Sequence, residues 1–307
     1  MKRVLIAATA ASALLLAGCG TSDENDKSSN PASSAAASFP VTVGTLTLGA
    51  RPEKIVSLSP TATEMLFAIG AGSQVTAVDD QSNYPAEAPK TDLSGFKPNA
   101  EAIAAKDPDL VVLSGDADQI VAQLGKLKIP TLVSPAAGTL DDTYREIKDL
   151  GILTGHGAEA NAVTDGMKAE IDQIVKSMPA RAKPLTYYYE LGPELYSATS
   201  KTFIGGVFNL FGMTNVADAA DADGSKGGYP QLSAEALVKA NPDTVFLADT
   251  KCCQQTAATV AARAGWSSIT AVQKSQVYPL DDDIASRWGP RTVDLVRSVA
   301  DAVSKVS

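Results

Sequence analysis

Several groups of side chains in this chain have types and spacing that could do chemistry. Cys252 and Cys253 are adjacent, within Thr250-Lys251-Cys252-Cys253-Gln254-Gln255. Adjacent Cα atoms lie about 3.8 Å apart across a trans peptide, closer than the roughly 4.4–6.8 Å usual for a disulfide. An oxidised pair would therefore close a tight, strained loop and act as a clamp, and a thiol pair outside the cytoplasm tends to oxidise. Two reduced, half-buried thiols are the other state open at this point. Asp281-Asp282-Asp283 reads as a solvated turn, because no further ligand cluster accompanies it. Asp221-Ala222-Asp223-Gly224 has part of a calcium-loop pattern, but Ala219 and Pro230 occupy positions where ligands would be needed. The chain has one histidine, His156. A lone imidazole cannot supply a multi-His zinc or copper shell, and it leaves a Ser-His-Asp or Cys-His hydrolase with a single candidate base. Flanked by Gly155 and Gly157, His156 is expected in a surface turn.

Two acids stand out because they recur in the same setting. Residues 99–113 read NAEAIAAKDPDLVVL and residues 233–247 read SAEALVKANPDTVFL. Glu101 and Glu235 sit at the same place in the two copies, 134 residues apart. That spacing is far beyond a solenoid period of roughly 20–50 residues and is about the size of a domain. Two related lobes are implied, each presenting one acid in the first turn of a helix, where it also complements the macrodipole.

The elements that must position these residues follow from pattern. Asn99 is an N-cap. Asp107-Pro108-Asp109 ends its helix, since proline disfavours α at the preceding residue. The apolar run 110–113 reads as a strand buried on both faces. Strands are also expected over 54–59, 75–78, 131–133, 185–191 and 277–280, with helices between them. Thr61 and Glu64 have capping-box spacing for the helix after the first of these. Alternating strands and helices argue for parallel sheets. Helices are predicted over 139–153, 158–178 and 293–306. The second would be roughly 30 Å long at 1.5 Å per residue, and Pro179 and Pro184 end it. The fold class is α/β, with two Rossmann-like lobes joined by one long rigid helix. The predicted boundaries are a signal segment 1–18, a tether 19–38, a first lobe 39–157, a connecting helix 158–180 and a second lobe 181–307.

The ends and the charge bound the setting. Lys2 and Arg3 precede an apolar run over 4–16, too short to span a membrane and read as a cleaved signal. The Leu16-Ala17-Gly18-Cys19 that follows resembles the lipobox of bacterial lipoproteins, which implies a lipidated Cys19 and an extracytoplasmic, membrane-anchored protein; an ordinary secretory signal is the alternative. Residues 20–38, rich in Ser, Ala, Asn and Asp, read as a flexible tether spanning on the order of 25 Å. The net charge of −9, from 26 basic and 35 acidic residues, comes with no basic cluster, so nucleic acid is not an expected partner.

The folded region as a whole resembles the periplasmic binding proteins of bacterial ABC importers for cobalamin, haem and iron–siderophores. The matching words are IVSLSPTATEMLFAIGAG, the NYP after it, NAEAIAAKDPDLVVLSG, LGILTG, AEALVKANPDTVFLAD, WSSITAVQKSQVYPLDDD and GPR. The resemblance implies a ligand between the lobes, no catalytic residue, no intrinsic cofactor or metal, a monomer, and a metal chelate (corrin, haem or ferric siderophore) as cargo. It also implies that Glu101 and Glu235 dock on a permease dimer. Phe96 and Tyr229 align with ligand-packing aromatics and Asp283 and Arg287 with polar cleft residues, whereas Gln81 and Ser114 stand where cobalamin-binding members carry aromatics. Ligands of open α/β sheets lie beyond the carboxyl ends of strands. That rule gives the expected lining: Ser59, Gln81, Tyr84, Phe96 and Ser114 in the first lobe, and Leu191, Tyr196, Tyr229, Cys252, Cys253, Asp283, Arg287 and Trp288 in the second. Arg287 could grip an anionic group, and Trp288 could stack on a ring or a cation. A surface enzyme such as a hydrolase and an adhesive lipoprotein are the readings from other classes.

Overall fold

A computed structural model describes residues 38–306. The expected signal segment, Cys19 and the tether up to residue 37 lie outside the described residues. In the first lobe, β1 (Val41–Val43) and β2 (Leu46–Leu48) form a small antiparallel hairpin. It leads into β3 (Ile55–Leu58), α1 (Pro60–Ala68), β4 (Val75–Asp79), β5 (Lys90–Leu93), α2 (Ala100–Ala104), β6 (Leu110–Leu113), α3 (Ile120–Lys126), β7 (Thr131–Val133) and α4 (Leu140–Thr154). The connecting helix is α5 (Gly157–Ser177). The second lobe holds β8 (Thr186–Glu190), α6 (Phe203–Asn209), β9 (Thr214–Asn215), α7 (Ala234–Ala240), β10 (Thr244–Leu247), α8 (Ala257–Ala261), α9 (Thr270–Gln273), β11 (Val277–Pro279), α10 (Asp282–Ala285) and α11 (Thr292–Ser304).

The strands of the first lobe form one sheet in the order β5-β4-β3-β6-β7, and those of the second lobe a sheet in the order β11-β10-β8-β9. Neighbouring strands in both are parallel, as the alternation of strands and helices predicts. Their carboxyl ends therefore lie along one edge of each sheet. β5 was not anticipated: Lys90-Thr91-Asp92-Leu93 carries a single large apolar residue, and as an edge strand it joins through backbone pairing with β4.

Each sheet packs on two sides. The outer side of the first buries Val56, Val111 and Leu113 with Ile103, Ile120 and Leu124. The outer side of the second buries Tyr188, Val245 and Leu247 with Leu237, Val260 and Trp266. The inner sides share one continuous core, in which Leu110, Val112, Tyr187, Tyr189 and Phe246 pack with Ile147, Leu150, Met167, Ile171, Phe208 and Val296. Alternate residues of β6 thus enter different cores, the period-2 rule for a strand covered on both faces. Because α5 contributes Ala160, Met167 and Ile171 to the shared core, the apolar interior runs across the junction between lobes.

Two local expectations are corrected. The cap of α1 is Ser59, whose side chain accepts from Ala62 N at 3.2 Å; Pro60 then occupies the first helical position, where its missing N–H costs nothing. Thr61 and Glu64 accordingly form no capping box, and both are buried inside the helix. His156 is not simply a surface residue: its ring lies 2.7 Å from Arg51 Nη2 and 3.0 Å from Gln74 Oε1. Burial, and then the Arg51 charge, hold its pKa below the ordinary value.

Candidate ligand cleft and docking acids

The twice-written segment folds the same way twice. Asn99 Oδ1 accepts from Ala102 N at 2.9 Å, and Ser233 Oγ accepts from Ala236 N at 3.1 Å. A positive-φ residue follows each helix at the same place in the repeat: Asn241 (47°) directly caps α7, and Asp107 (51°) lies two residues past the α2 cap, Ala105; both are types that tolerate the left-handed region. The repeated aspartate then fastens the repeat strand to the first strand of its sheet. Asp109 Oδ2 accepts from Glu53 N and Lys54 N at 2.8 and 2.9 Å. Asp243 Oδ2 accepts from Thr186 N and Thr186 Oγ1, both at 2.9 Å. Glu101 and Glu235 end up exposed in the first turn of α2 and α7, and among the described residues neither has an ion-pair partner.

The expected cleft aromatics also stand open to solvent. Phe96 is 78% exposed, Tyr229 48%, Tyr84 47% and Tyr196 46%. Phe96 follows β5; Tyr196 follows β8 and pairs with Gln231 in an isolated bridge. An exposed ring surface of this kind suits stacking on a flat, apolar ligand face. Gln81 and Ser114 are exposed at the ends of β4 and β6. A cavity of about 520 Å3 lies elsewhere: it is bounded by α1, α5 and α11, and Tyr84 is its one residue from the expected lining.

The remaining expected lining residues are committed to internal work. Ser59 is buried as the α1 cap. Leu191 packs against the shared core. Arg287, read as a grip for an anion, donates instead to Glu64 Oε1 (2.7 Å), Asn83 Oδ1 (2.9 Å), Gln81 O (3.1 Å) and Asp283 Oδ1 (3.1 Å). A buried guanidinium must have its donors met, and three groups of the first lobe together with Asp283 of its own lobe meet them. Trp288 packs on the shared core, and its Nε1 donates to Glu146 Oε2 at 3.2 Å, so it is not a free stacking surface. Asp283 accepts from Lys251 Nζ, Asn83 Nδ2 and Arg287 Nη2.

Asp281-Asp282-Asp283 is therefore no solvated turn. Asp281 caps α10. Asp282 accepts from Thr250 N, Lys251 N and Cys252 N at 2.9, 2.9 and 3.0 Å, which fixes the loop where Cys252 and Cys253 form a disulfide with Cα atoms 3.8 Å apart. The loop is held from the other side by Asp249 O, which accepts from Cys253 N and Gln255 N, both at 3.3 Å. Beneath it, Arg263 grips the fully buried Glu190 bidentately at 2.6 Å and also reaches Gln255 Oε1 at 2.8 Å. The carboxyl of Asp249 is fully buried, with no donor to either oxygen. Burial first, and then the charge of Glu190 beside it, push it up to about 7. Sequence reading missed this acid and Glu64. For Glu64 a signal existed, since it is the one charged residue in the helix PTATEMLFA. Asp221, from the rejected calcium pattern, closes its own loop by accepting from Lys226 N and Gly228 N, each at 2.7 Å.

Two sheets whose strand ends carry exposed aromatics, linked by a single helix, match a known architecture. A family model described as periplasmic binding protein matches residues 55–284. The chain is 31% identical to an uncharacterized ABC transporter substrate-binding lipoprotein, YvrC of Bacillus subtilis, over 97% of this chain and 95% of that protein. Among solved structures, a possible iron-binding (periplasmic solute-binding) protein from Staphylococcus epidermidis superposes with a TM-score of 0.73 at 25% identity, covering 83% of this chain and 100% of the other. The periplasmic vitamin B12 binding protein BtuF of Vibrio cholerae does so with a TM-score of 0.67 at 26% identity, covering 82% and 97%. With three quarters of its length inside the family model, and a relative above 30% identity along nearly all of it, this chain belongs to the periplasmic binding protein family.

Proposed function

We propose that the chain is the substrate-binding component of an ABC importer, held outside the cytoplasm by a lipidated Cys19. It takes up a metal chelate between its lobes, of the corrin, haem or ferric siderophore type, and hands it to a permease dimer. The observation that carries this reading is the set of solvent-open aromatic rings, Phe96, Tyr196 and Tyr229, beside loops at the strand ends. An apolar ring exposed by about half or more gains most from covering by a large flat ligand. The vitamin B12 binding and possible iron-binding relatives support a chelate as cargo. Gln81 and Ser114, polar where cobalamin-binding members have aromatics, favour an iron chelate over a corrin. The disulfide-closed loop would supply a fixed wall of the cleft.

The exposed acids support the second half of the proposal. Glu101 and Glu235 sit in matched local structures, one per lobe, as a two-fold partner requires of a pseudo-two-fold ligand, and arginines of a permease would meet them bidentately. The test is calorimetry of the purified protein with cobalamin, haemin and a ferric siderophore, together with an absorbance spectrum of what copurifies. Saturable binding of one of the three is expected. Absence of binding to all three would overturn the chelate assignment.

A further inference from the structure

Beside the shared apolar core, the side-chain hydrogen bonds between the lobes among the described residues all come from one segment, 283–291, at the carboxyl edge of the second sheet. Besides the Arg287 and Trp288 bonds given above, Arg291 donates to Glu64 Oε2 from Nε at 2.8 Å and to Glu64 Oε1 from Nη2 at 2.5 Å. Asn83 Nδ2 donates to Asp283 at 3.1 Å. At the centre is the Glu64 side chain, 1% exposed, between Arg287 at 8% and Arg291 at 16%. The Arg291 guanidinium also lies over the Tyr84 ring, 4.3 Å from its centroid.

A single connecting helix leaves rotation possible where its ends meet the lobes, since hinges use the terminal residues of elements. A second attachment point away from the helix axis removes that freedom. Glu64 lies in α1, which starts at the carboxyl end of β3; Arg287 and Arg291 follow the carboxyl end of β11. The attachment is thus at the strand ends that border the cleft. Its charges are largely withdrawn from solvent, and removing the one carboxylate would leave Arg291 with no acid and Arg287 with Asp283 alone. We infer that Glu64 is a positioning residue: through Arg287 and Arg291 it bolts the two lobes at one angle and thereby fixes the width of the cleft. The same bolt reaches the disulfide loop, because Asp283 holds both Arg287 and Lys251, so the cleft wall and the lobe angle are set together.

The inference rests on the reading of the inter-lobe cleft as the binding site, but its test needs no ligand. Nitroxides attached through azide-bearing residues at the exposed positions 106 and 239 report the inter-lobe distance by pulsed electron resonance. The full-length protein should give one narrow distribution, little moved by 1 M salt because a largely buried pair is screened weakly. Glu64→Gln should broaden it at least twofold or shift its centre. A folded Glu64→Gln protein that keeps the original distribution would overturn the inference. If that variant does not fold, Arg291→Gln decides by the same criterion, since it removes two of the three bonds to Glu64 and keeps Arg287. Val260→Ala, a lesion in the outer core of the second lobe, should lower the melting temperature and leave the distribution narrow. Equal broadening by Val260→Ala would also overturn the inference, by showing that general loosening is enough.

Discussion

Residues 99–113 and 233–247 repeat each other in cap, helix, left-handed stop and strand clamp, yet the residues that follow them have opposite fates. After β6, Ser114 and Gly115 are exposed; after β10, Ala248 is half-buried and Asp249 is wholly buried, at the start of the disulfide loop. The shared part is the frame and an exposed acid; the divergent part lies at the strand ends, where a ligand would sit. A surface that serves a symmetric partner must be the same in both lobes, whereas one that serves an asymmetric small molecule need not be.

The sharpest way to break this division is to reverse the repeated acids. Glu101→Arg combined with Glu235→Arg should abolish uptake by cells while the dissociation constant of the purified protein stays within about twofold, as expected of exposed residues outside the cleft. Normal uptake would remove the docking role. The divergent side is tested next by Phe96→Ala and Tyr229→Ala. Each should weaken binding of whichever chelate calorimetry identifies by roughly tenfold or more, about 1.4 kcal/mol, with uptake falling only in proportion. Loss of uptake at unchanged affinity would move these rings from the cleft to the docking side.

Asp249 allows a smaller, pH-resolved comparison. Its pKa is raised on folding, so the folded state keeps a proton that the unfolded chain releases above about 4. The stability this lends is present at low pH and is lost as pH rises through about 7. Thermal melts between pH 5.5 and 8.5 should show a decline on the order of 2 kcal/mol, a few degrees, that Asp249→Asn flattens. An unchanged slope in Asp249→Asn would place the proton elsewhere. The mildest test bears on the frame itself: Asn99→Ala and Ser233→Ala should each cost about 1 kcal/mol in urea unfolding, because the two caps make the same bond. A clear inequality would show that the repeat is not energetically a repeat.

Much of the frame was legible in sequence. β6 and β7 fall on the predicted residues, and most of the other expected elements fall within one or two, because buried parallel strands are short apolar runs and amphipathic helices keep their period. Phe96, Tyr196 and Tyr229 were legible as loop aromatics, and the fold leaves them open to solvent. Arg287 and Trp288 were legible as residues beyond the last strand of the second sheet, but their employment was not: their partners Glu64 and Glu146 lie in the other lobe, 223 and 142 positions away.

By itself the sequence determined whatever depends on neighbours within a few positions: the caps at Asn99 and Ser233, the stops at Asp107 and Asn241, the adjacency of Cys252 and Cys253, the recurrence of Glu101 and Glu235. Tertiary structure decided which charges meet. Thr61 and Glu64 have the spacing of a capping box, but the chain leaves β3 so that Ser59 takes the cap, and Glu64 is carried inward to two arginines. A local pattern states what a side chain can bond; burial decides what it must bond, because a charge removed from water has to find its counter-charge wherever the fold has brought one.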